Sequence, residues 1–473
     1  MRFDIEKARE LTEYIRKEQT RLEAECEPQL PPRKLKSAER HQYTIPARPF
    51  KKDGSYSEVF LKWLQKHGVE ACNDNQILWL DGTFHRIEGG KELPATMPMK
   101  LGNQDDIKSW LVAEGWESTL WNFERGEDGK PLRDPKTKEP IKSSPKMQEN
   151  GKICPNLLSM QGDLIKQVVK WLSYRNRLSV LEGWLGNRRL EFDGRLSAAS
   201  AGITPTFRQK HSVVANIPKN KEHVLLGKEM RELFKAAPGK VLVGFDASSL
   251  EDRLKGHFTY SYDGGAYAEK ILSEGFDPHQ ENADLWGIDR SIAKNGTYAL
   301  GYFCGVKKLA GTIKCSQSEA AKRHQDYWDL NKPLKDLDEA LGCHWEANGK
   351  KYIVGIDGRK VWSRARHSLV NLLIQSTGSV VMDFSAAWMD RQLGGIILDS
   401  TVEQCYTGYR VGQFYARRVL MMHDEYVYEC DPEIAEQILE IGCESIKRAG
   451  EYFKMKVPLL SEGKVGQTWA DLK

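Results

Sequence analysis

Two acidic points lie far apart in this chain, and each interrupts an apolar run. KVLVGF, residues 240–245, stops at Asp246, and LMMHDEYVYE, residues 420–429, carries His423, Asp424 and Glu425 between apolar and aromatic flanks. Adjacent carboxylates in a strand-like segment are costly unless something cationic meets them. Carboxylate oxygens of this kind suit Mg2+. Two such ions roughly 3.5–4 Å apart can activate an attacking oxygen and stabilise a leaving one in phosphoryl transfer. Plainer readings fit the same residues. DASSLEDR introduces a helix that Asp246 would cap, and Ser248 with Glu251 fits an S-x-x-E capping box.

A third segment, RSIAKNGTYALGY, places Arg290, Lys294, Tyr298 and Tyr302 at intervals of four. In a helix these side chains form a slowly winding stripe about 18 Å long, with cations at its start and aromatics at its end. Such a gradient suits a ligand with a polyphosphate at one end and a sugar and base at the other. An ordinary amphipathic helix, with buried tyrosines and solvated cations, has the same spacing. Upstream, FDPH brings His279 to where another phosphate contact can sit.

The elements that must position these residues are legible from periodicity. Ile5, Ala8, Leu11, Ile15 and Leu22 predict an amphipathic helix over residues 3–25, which PQLPPRKLKSAER then breaks. Residues 26–95 lack long periodic segments and read as an irregular insertion or small subdomain. Helices are predicted at 104–116 and 161–185, with a Pro- and Lys-rich exposed loop at 127–146. Beyond about residue 190, strands are expected at 240–245, 351–356 and 417–422, a largely helical stretch at 267–342, and a helix opening at Asp431-Pro432. The chain therefore reads as α+β, an antiparallel sheet interrupted by a long helical excursion.

Composition bounds the class. The 473 residues, 40% hydrophobic and 29% charged, suit a globular protein of several domain-sized units. No apolar run approaches the ~18–20 residues of a membrane span, and MRFDIEKARE has no signal-peptide core. Nine Cys without a CxxC pair point to reduced thiols in a cytosol and away from structural zinc. The net charge of +4 is modest, but residues 33–52 hold seven Lys/Arg against Glu39, and 130–146 hold six against two acids. Clusters of this kind suit phosphate contacts and solvated loops alike.

In this order and at these separations, the motifs resemble the polymerase region of family A (Pol I-like) DNA polymerases, most closely the phage replicative branch. VGFDASSLEDR resembles the first palm motif and RSIAKNGTYALGY the fingers helix. HSLVNLLIQSTGSVVMD resembles the segment after the fingers, and MMHDEYVYE the second palm motif. The resemblance covers nearly the whole chain and is strongest from residue 200 onward. It implies a right-hand polymerase fold: thumb 1–190 with an insertion at about 26–95, palm 191–260 and 372–473, and fingers 261–371. It also implies template-directed addition of deoxynucleotides to a primer 3′ end, for phage DNA replication in the cytoplasm of a bacterial host.

Residue by residue, the resemblance implies that Asp246, Ala247 and Asp424 hold two Mg2+ ions, with Glu425 beside them. Arg290, Lys294 and His279 would grip the incoming triphosphate, and Lys294 would also protonate the departing pyrophosphate. Tyr298 would pack by the sugar and base, Tyr302 would occupy the template-side hinge, and Glu251 would crowd the 2′ position. Asn371, Gln375 and Arg208 would read the minor-groove edge, and His423 would contact the primer terminus. His367 takes a DNA-contact position that is often Arg in bacterial relatives. Tyr298, where the family has Phe or Tyr, implies ready acceptance of dideoxynucleotides.

There are departures. Asp252 stands where Leu is usual, Phe303 where Gly is common, and TPTFR replaces TGR around Arg208. The first thumb helix is expected to begin at about residue 4, so the resemblance implies no proofreading site in the chain, and either an exonuclease on a separate polypeptide or a shortened chain. Besides primer-template DNA and dNTPs, a thioredoxin-like processivity factor at the insertion is an implied partner; a membrane is not. A single-subunit RNA polymerase shares this architecture, but Glu251 and the fingers helix argue against it. A DNA-binding accessory protein with a relict palm is opposed by the intact acidic pair and the cationic helix.

Overall fold

The computed structural model describes residues 1–472 except 73, 74, 81, 199, 215, 216, 223, 395, 396 and 400–405. The chain divides into two compact units, residues 13–179 and residues 1–12 with 180–473. Apolar spacing gives the helices expected at the start, α1 (Ile5–Cys26), which buries Ala8, Ile15 and Leu22. In the smaller unit, residues 26–95 form a module with its own core. There α2 (Glu58–His67) opens on Ser57 Oγ, which accepts from Phe60 N at 3.3 Å, and closes on left-handed Gly68. Its Phe60 and Leu64 pack with Ile45, Ile77 and Trp79, and Trp63 stacks on Trp79 at 5.3 Å. These contacts give the stretch from Tyr43 to Leu93 a hydrophobic core of its own.

Two expectations for this unit can be refined. Residues 127–146 are exposed as expected, but the loop is anchored: Trp121–Phe123 pairs antiparallel with Lys142–Pro145, and bridges at Arg125–Pro131 and Arg133–Pro140 lead toward the tip. Proline is tolerated at such unpaired edge positions. In the first basic run, Arg33 bonds both Glu39 (2.6 Å) and Asp106 (2.9 Å), which makes it an internal tie. The unit's sequence ends within α3 (Asp163–Leu185), at residue 179.

The larger unit is built on a six-stranded sheet. β1 (Val241–Ala247), β2 (Ile397–Asp399), β3 (Tyr406–Val411), β4 (Phe414–Met422), β5 (Glu425–Cys430) and β6 (Ser461–Gly466) lie in the order β2-β3-β4-β5-β1-β6, with antiparallel neighbours. β1 is an inner strand covered on both faces, which is why it reads as a continuous apolar run. Between β1 and β2 comes the helical excursion: α4 (Leu250–Asp263), α5 (Ala266–Leu272), α6 (Pro278–Trp286), α7 (Arg290–Gly301), α8 (Gln317–Leu330), α9 (Lys332–Ala347) and α10 (Leu369–Gln392). α11 (Ala435–Tyr452), entered through a 3-10 turn at Pro432–Ile434, packs on the sheet. It approaches closely only because Gly442 is there: a Cβ would stand 2.4 Å from the Phe245 ring. Phe245 in turn stacks on Tyr428 at 5.9 Å, so the core lies directly beneath the strand that ends in Asp246.

The Ser248–Glu251 capping box does not form. The chain enters α4 through Ser249 at φ 50°, with no side-chain cap, and Glu251 is bonded elsewhere. Among the described residues, no helix is long and apolar enough to cross a membrane.

Candidate active site

The acidic corner is made by strand register. Asp246 pairs with Glu425 on one side and Glu462 on the other, and a two-residue turn, His423-Asp424, joins β4 to β5. Ala247 N donates to Asp424 O at 3.0 Å, and Ser461 Oγ donates to Asp246 O at 2.8 Å. Backbone bonds thus bring together two carboxylate-bearing strand ends that are remote in sequence. His423 sits at φ 55°, a left-handed conformation that is uncommon outside glycine and is concentrated at functional sites. Its imidazole pKa is lowered by burial, and the nearby Arg208 and His211 add to that.

Glu425, the cross-strand partner of Asp246, is tied to the C-terminal segment. It is 9% exposed, and its Oε1 accepts from Trp469 Nε1 at 2.8 Å. The Arg231 guanidinium lies 4.3 Å from the Trp469 ring centre. Among the described residues no three His, Cys, Asp or Glu side chains converge as a metal cage. Two carboxylates and the Ala247 backbone are nonetheless a hard oxygen set. Mg2+ is typically bound by one or two carboxylates plus substrate phosphates, with waters retained. The residues present fit such an ion.

α7 presents the graded stripe. Asp289 caps it, accepting from Ser291 N at 2.7 Å, and Ala293, Gly296 and Leu300 face inward. Tyr298 and Tyr302 are 42% and 39% exposed, so the reading with buried tyrosines is set aside. Lys294 Nζ lies 5.7 Å from the Tyr298 ring centre, and the His279 ring lies 5.1 Å from it on the other helix, α6. Burial lowers the pKa of His279, and Asp252 opposes that shift. Arg290 Nε bonds Asp277 Oδ2 at 2.7 Å, and Asp277 also caps α6 through His279 N. Burial raises the Tyr298 hydroxyl pKa, with Asp252 next in effect.

Glu251 is the hub on the opposite wall. It takes Arg208 Nη2 at 2.8 Å and the Tyr302 hydroxyl at 3.3 Å, and Gln375 Nε2 reaches that hydroxyl at 3.5 Å. Arg208 arrives there although TPTFR departs from TGR: Thr204 N bonds Arg208 O at 2.8 Å across a turn that holds Phe207 at φ 63°. Asn371 lines a cavity with Tyr298 and Tyr302, and its Oδ1 is buried without a partner among the described residues. A cleft of about 290 Å3 is lined by Arg208, Glu251, Tyr298, Ser379, His423 and Asp424. His367 stands exposed in the turn before α10.

Sequence reasoning gave no role to three further residues. Arg253 is buried and ties α4 to Ser248 O (2.9 Å) and Pro458 O (2.8 Å). Asp252 lines the cavity that Asn371 shares with Tyr298 and Tyr302, and Trp469 holds Glu425. An arginine and an aspartate inside a helix-starting motif were a usable signal; nothing local marks Trp469.

Phe303 explains its own departure. It lies at φ 55°, where glycine is favoured, and its ring packs 4.7 Å from that of Trp328.

The model of DNA polymerase family A matches residues 194–471, more than half of the chain. The chain belongs to this family. This family A chain is 25% identical over 397 residues to a DNA-directed DNA polymerase of Escherichia phage Phieco32, covering 66% of this chain and 60% of that protein. It is also 25% identical over 429 residues to the DNA-directed DNA polymerase of Escherichia phage T7, covering 86% of this chain and 56% of that protein. The family A chain thus spans little more than half the length of these curated relatives. A solved POL domain of Pol1 from M. smegmatis, in complex with a DNA primer-template and dNTP, superposes with a TM-score of 0.64 at 15% identity. That match covers 100% of this chain and 67% of that one, and shows a shared α+β polymerase fold.

Proposed function

We propose that the chain adds deoxynucleotides to the 3′ end of a primer under the direction of a template. One observation carries this reading. Asp246 and Asp424 meet at one corner, closed by the 3.0 Å Ala247–Asp424 backbone bond, in the same unit as a helix that exposes Tyr298 and Tyr302. The names of the phage relatives and the DNA and dNTP bound to the mycobacterial domain support primer-template DNA and dNTPs as partners.

In this reading, residues 191–260 and 372–473 act as palm, 261–371 as fingers and 1–190 as thumb. Arg290, Lys294 and His279 bind the triphosphate, and Lys294 delivers a proton to the departing pyrophosphate. Tyr298 supports the sugar and base, and Tyr302 stands at the template-side hinge. Glu251, fixed by Arg208 and Tyr302, blocks the 2′ position. Arg208, Asn371, Gln375 and His367 contact the DNA, and His423 meets the primer terminus. Two Mg2+ ions, held by Asp246, Ala247 and Asp424, would lower the pKa of the primer hydroxyl and offset charge on the phosphoryl oxygens. Glu425, bonded to Trp469, supports the hairpin beside Asp246.

We assign a thioredoxin-like processivity contact to the inserted module, where Leu78 and Phe84 are cross-strand partners exposed at 44% and 60%. Phage replication would place the work in the cytoplasm of the host cell. The decisive experiment is primer extension with dNTPs and Mg2+ by the wild type and Asp424→Ala. Wild type is expected to extend and the variant to lose nearly all activity; equal extension by both would overturn the reading.

A further inference from the structure

Asp252, next to Glu251 in the first turn of α4, faces a different set of neighbours. Its Oδ1 accepts from the Tyr267 hydroxyl at 3.2 Å. Asp252, His279 and Tyr298 share the wall of a water-accessible cavity of about 70 Å3. A single water needs about 10–15 Å3, so several fit. His279 is 7% exposed, and its Nδ1 is buried with no hydrogen-bond partner among the described residues. A buried polar atom left unmatched is costly and, in a functional site, calls for an explanation.

The charges around His279 narrow the choice. From α7 come two cations, Arg290 and Lys294, and the Tyr298 ring. Its own helix supplies Asp277, which is engaged by Arg290 and by the α6 cap, and Glu281, which is engaged by Lys270 at 2.7 Å. From α4, Lys255 bonds Asn331 at 2.6 Å and lies over the Tyr267 ring of α5 at 4.1 Å. Glu251, also on α4 and on this cavity, is paired with Arg208, so Asp252 is the lining carboxylate with no cation among its described bonds. Its charge also opposes the effect of burial on His279.

We propose that Asp252 is a positioning residue for His279: across the cavity, directly or through water, it keeps Nδ1 protonated and sustains a cationic ring when a triphosphate meets Nε2. The inference rests on the polymerase reading and names the device behind one of its phosphate contacts. Before nucleotide arrives, burial disfavours the charged ring. When the polyphosphate binds, the imidazole takes one proton from solvent, and the carboxylate behind it and the phosphate in front share the resulting charge.

The test is the pH dependence of the KM for dNTP in primer extension. In wild type, KM should climb with pH between the point where free His279 loses its proton and the higher point where bound His279 does, and level off above it. In Asp252→Asn that climb should move down by about one pH unit, with KM several-fold higher near neutrality and kcat changed less than twofold. Asp252→Glu should restore the profile. Tyr267→Phe, which removes the hydroxyl but not the charge, should leave it in place. Asp252→Asn in a His279→Gln background should have no further effect on KM.

A second measurement needs no Asp252 variant: dNTP binding to the complex with a chain-terminated primer should take up protons in wild type, and less in His279→Gln. Superimposable KM profiles for wild type and Asp252→Asn, or a Tyr267→Phe profile that matches Asp252→Asn, would overturn the proposal. So would equal proton uptake by wild type and His279→Gln. A wild type that extends no primer would instead sink the polymerase reading.

Discussion

Arg208 and Glu251 form an ion pair at 2.8 Å, and the Tyr302 hydroxyl reaches the other oxygen of the same carboxylate at 3.3 Å. Glu251 is thus fixed from two sides, and a fixed carboxylate excludes a 2′-hydroxyl better than a mobile one. Glu251→Ala is expected to raise ribonucleotide incorporation relative to deoxynucleotide by about tenfold or more, since a steric and polar block on one hydroxyl contributes over a kcal/mol. Arg208→Ala should loosen the same discrimination by a smaller factor and also weaken primer-template binding. Parallel single-nucleotide kinetics with dNTP and rNTP measure both, and unchanged ratios would reject the assigned role.

Tyr298 is half-exposed on the stripe of α7, with Lys294 and His279 on either side of its ring. In the proposed role beside the sugar, its hydroxyl would stand close to where a chain terminator lacks one. Wild type is therefore expected to accept dideoxynucleotides readily, and Tyr298→Phe to discriminate against them. Competition between ddNTP and dNTP reads this directly; equal ratios for the two proteins would count against it.

What was legible in the sequence, and what was not, follows from the range of the interactions. β1 and α7 were readable because burial on both faces and a four-residue stripe leave their own periodic marks. The pairing of Asp246 with Asp424 was readable only through two strand ends and the motifs between them. The inserted module was half-legible: Phe60 and Leu64 lie on a short helix, but their partners Ile45, Ile77 and Trp79 come from segments too brief to show a period. The capping box misled because Ser249 in a left-handed conformation moves the helix start by one residue. The Trp469–Glu425 bond was invisible, since a contact between remote residues leaves no local trace.

That bond separates the two acidic residues of HDE by experiment. Asp424→Asn should cost activity by several orders of magnitude, whereas Glu425→Gln keeps an acceptor for Trp469 and should lose less than about tenfold. Trp469→Phe removes the donor and should destabilise the fold by about 1.5–3 kcal/mol, the range for a hydrogen bond to a charged group. Steady-state kinetics and denaturant melts of the three variants distinguish ligand from support. A Glu425→Gln loss as large as that of Asp424→Asn would return Glu425 to the catalytic set.

Phe303 permits a test of backbone conformation against packing. Its φ of 55° costs a non-glycine residue about 1–2 kcal/mol, and its ring contact with Trp328 offsets that cost. Phe303→Ala loses the ring and keeps the strain, while Phe303→Gly loses the ring and relieves it. Glycine should therefore be the more stable of the two by about 1 kcal/mol, the reverse of the order inside a helix. Thermal melts that rank alanine above glycine would show that the left-handed conformation is not maintained.

Lys255 gives the stability curve a slope of known sign. Burial lowers its pKa from 10.5 to about 8, with Asp252 and Glu281 opposing the shift. Because the folded pKa lies below the unfolded one, the unfolded chain binds more protons between those values, and stability rises with pH across that window. Below about 8 the ammonium is charged in both states and the full cost of burying it remains. Lys255→Met removes this titration. Wild type minus Lys255→Met should therefore show stability increasing from about pH 8 toward 10.5, whatever the tyrosines contribute to each curve alone. Denaturant melts at half-unit pH intervals measure the difference. A flat difference would mean that the lysine keeps its ordinary proton affinity in the folded protein, and that Asn331 and the Tyr267 ring fully replace the water it gives up.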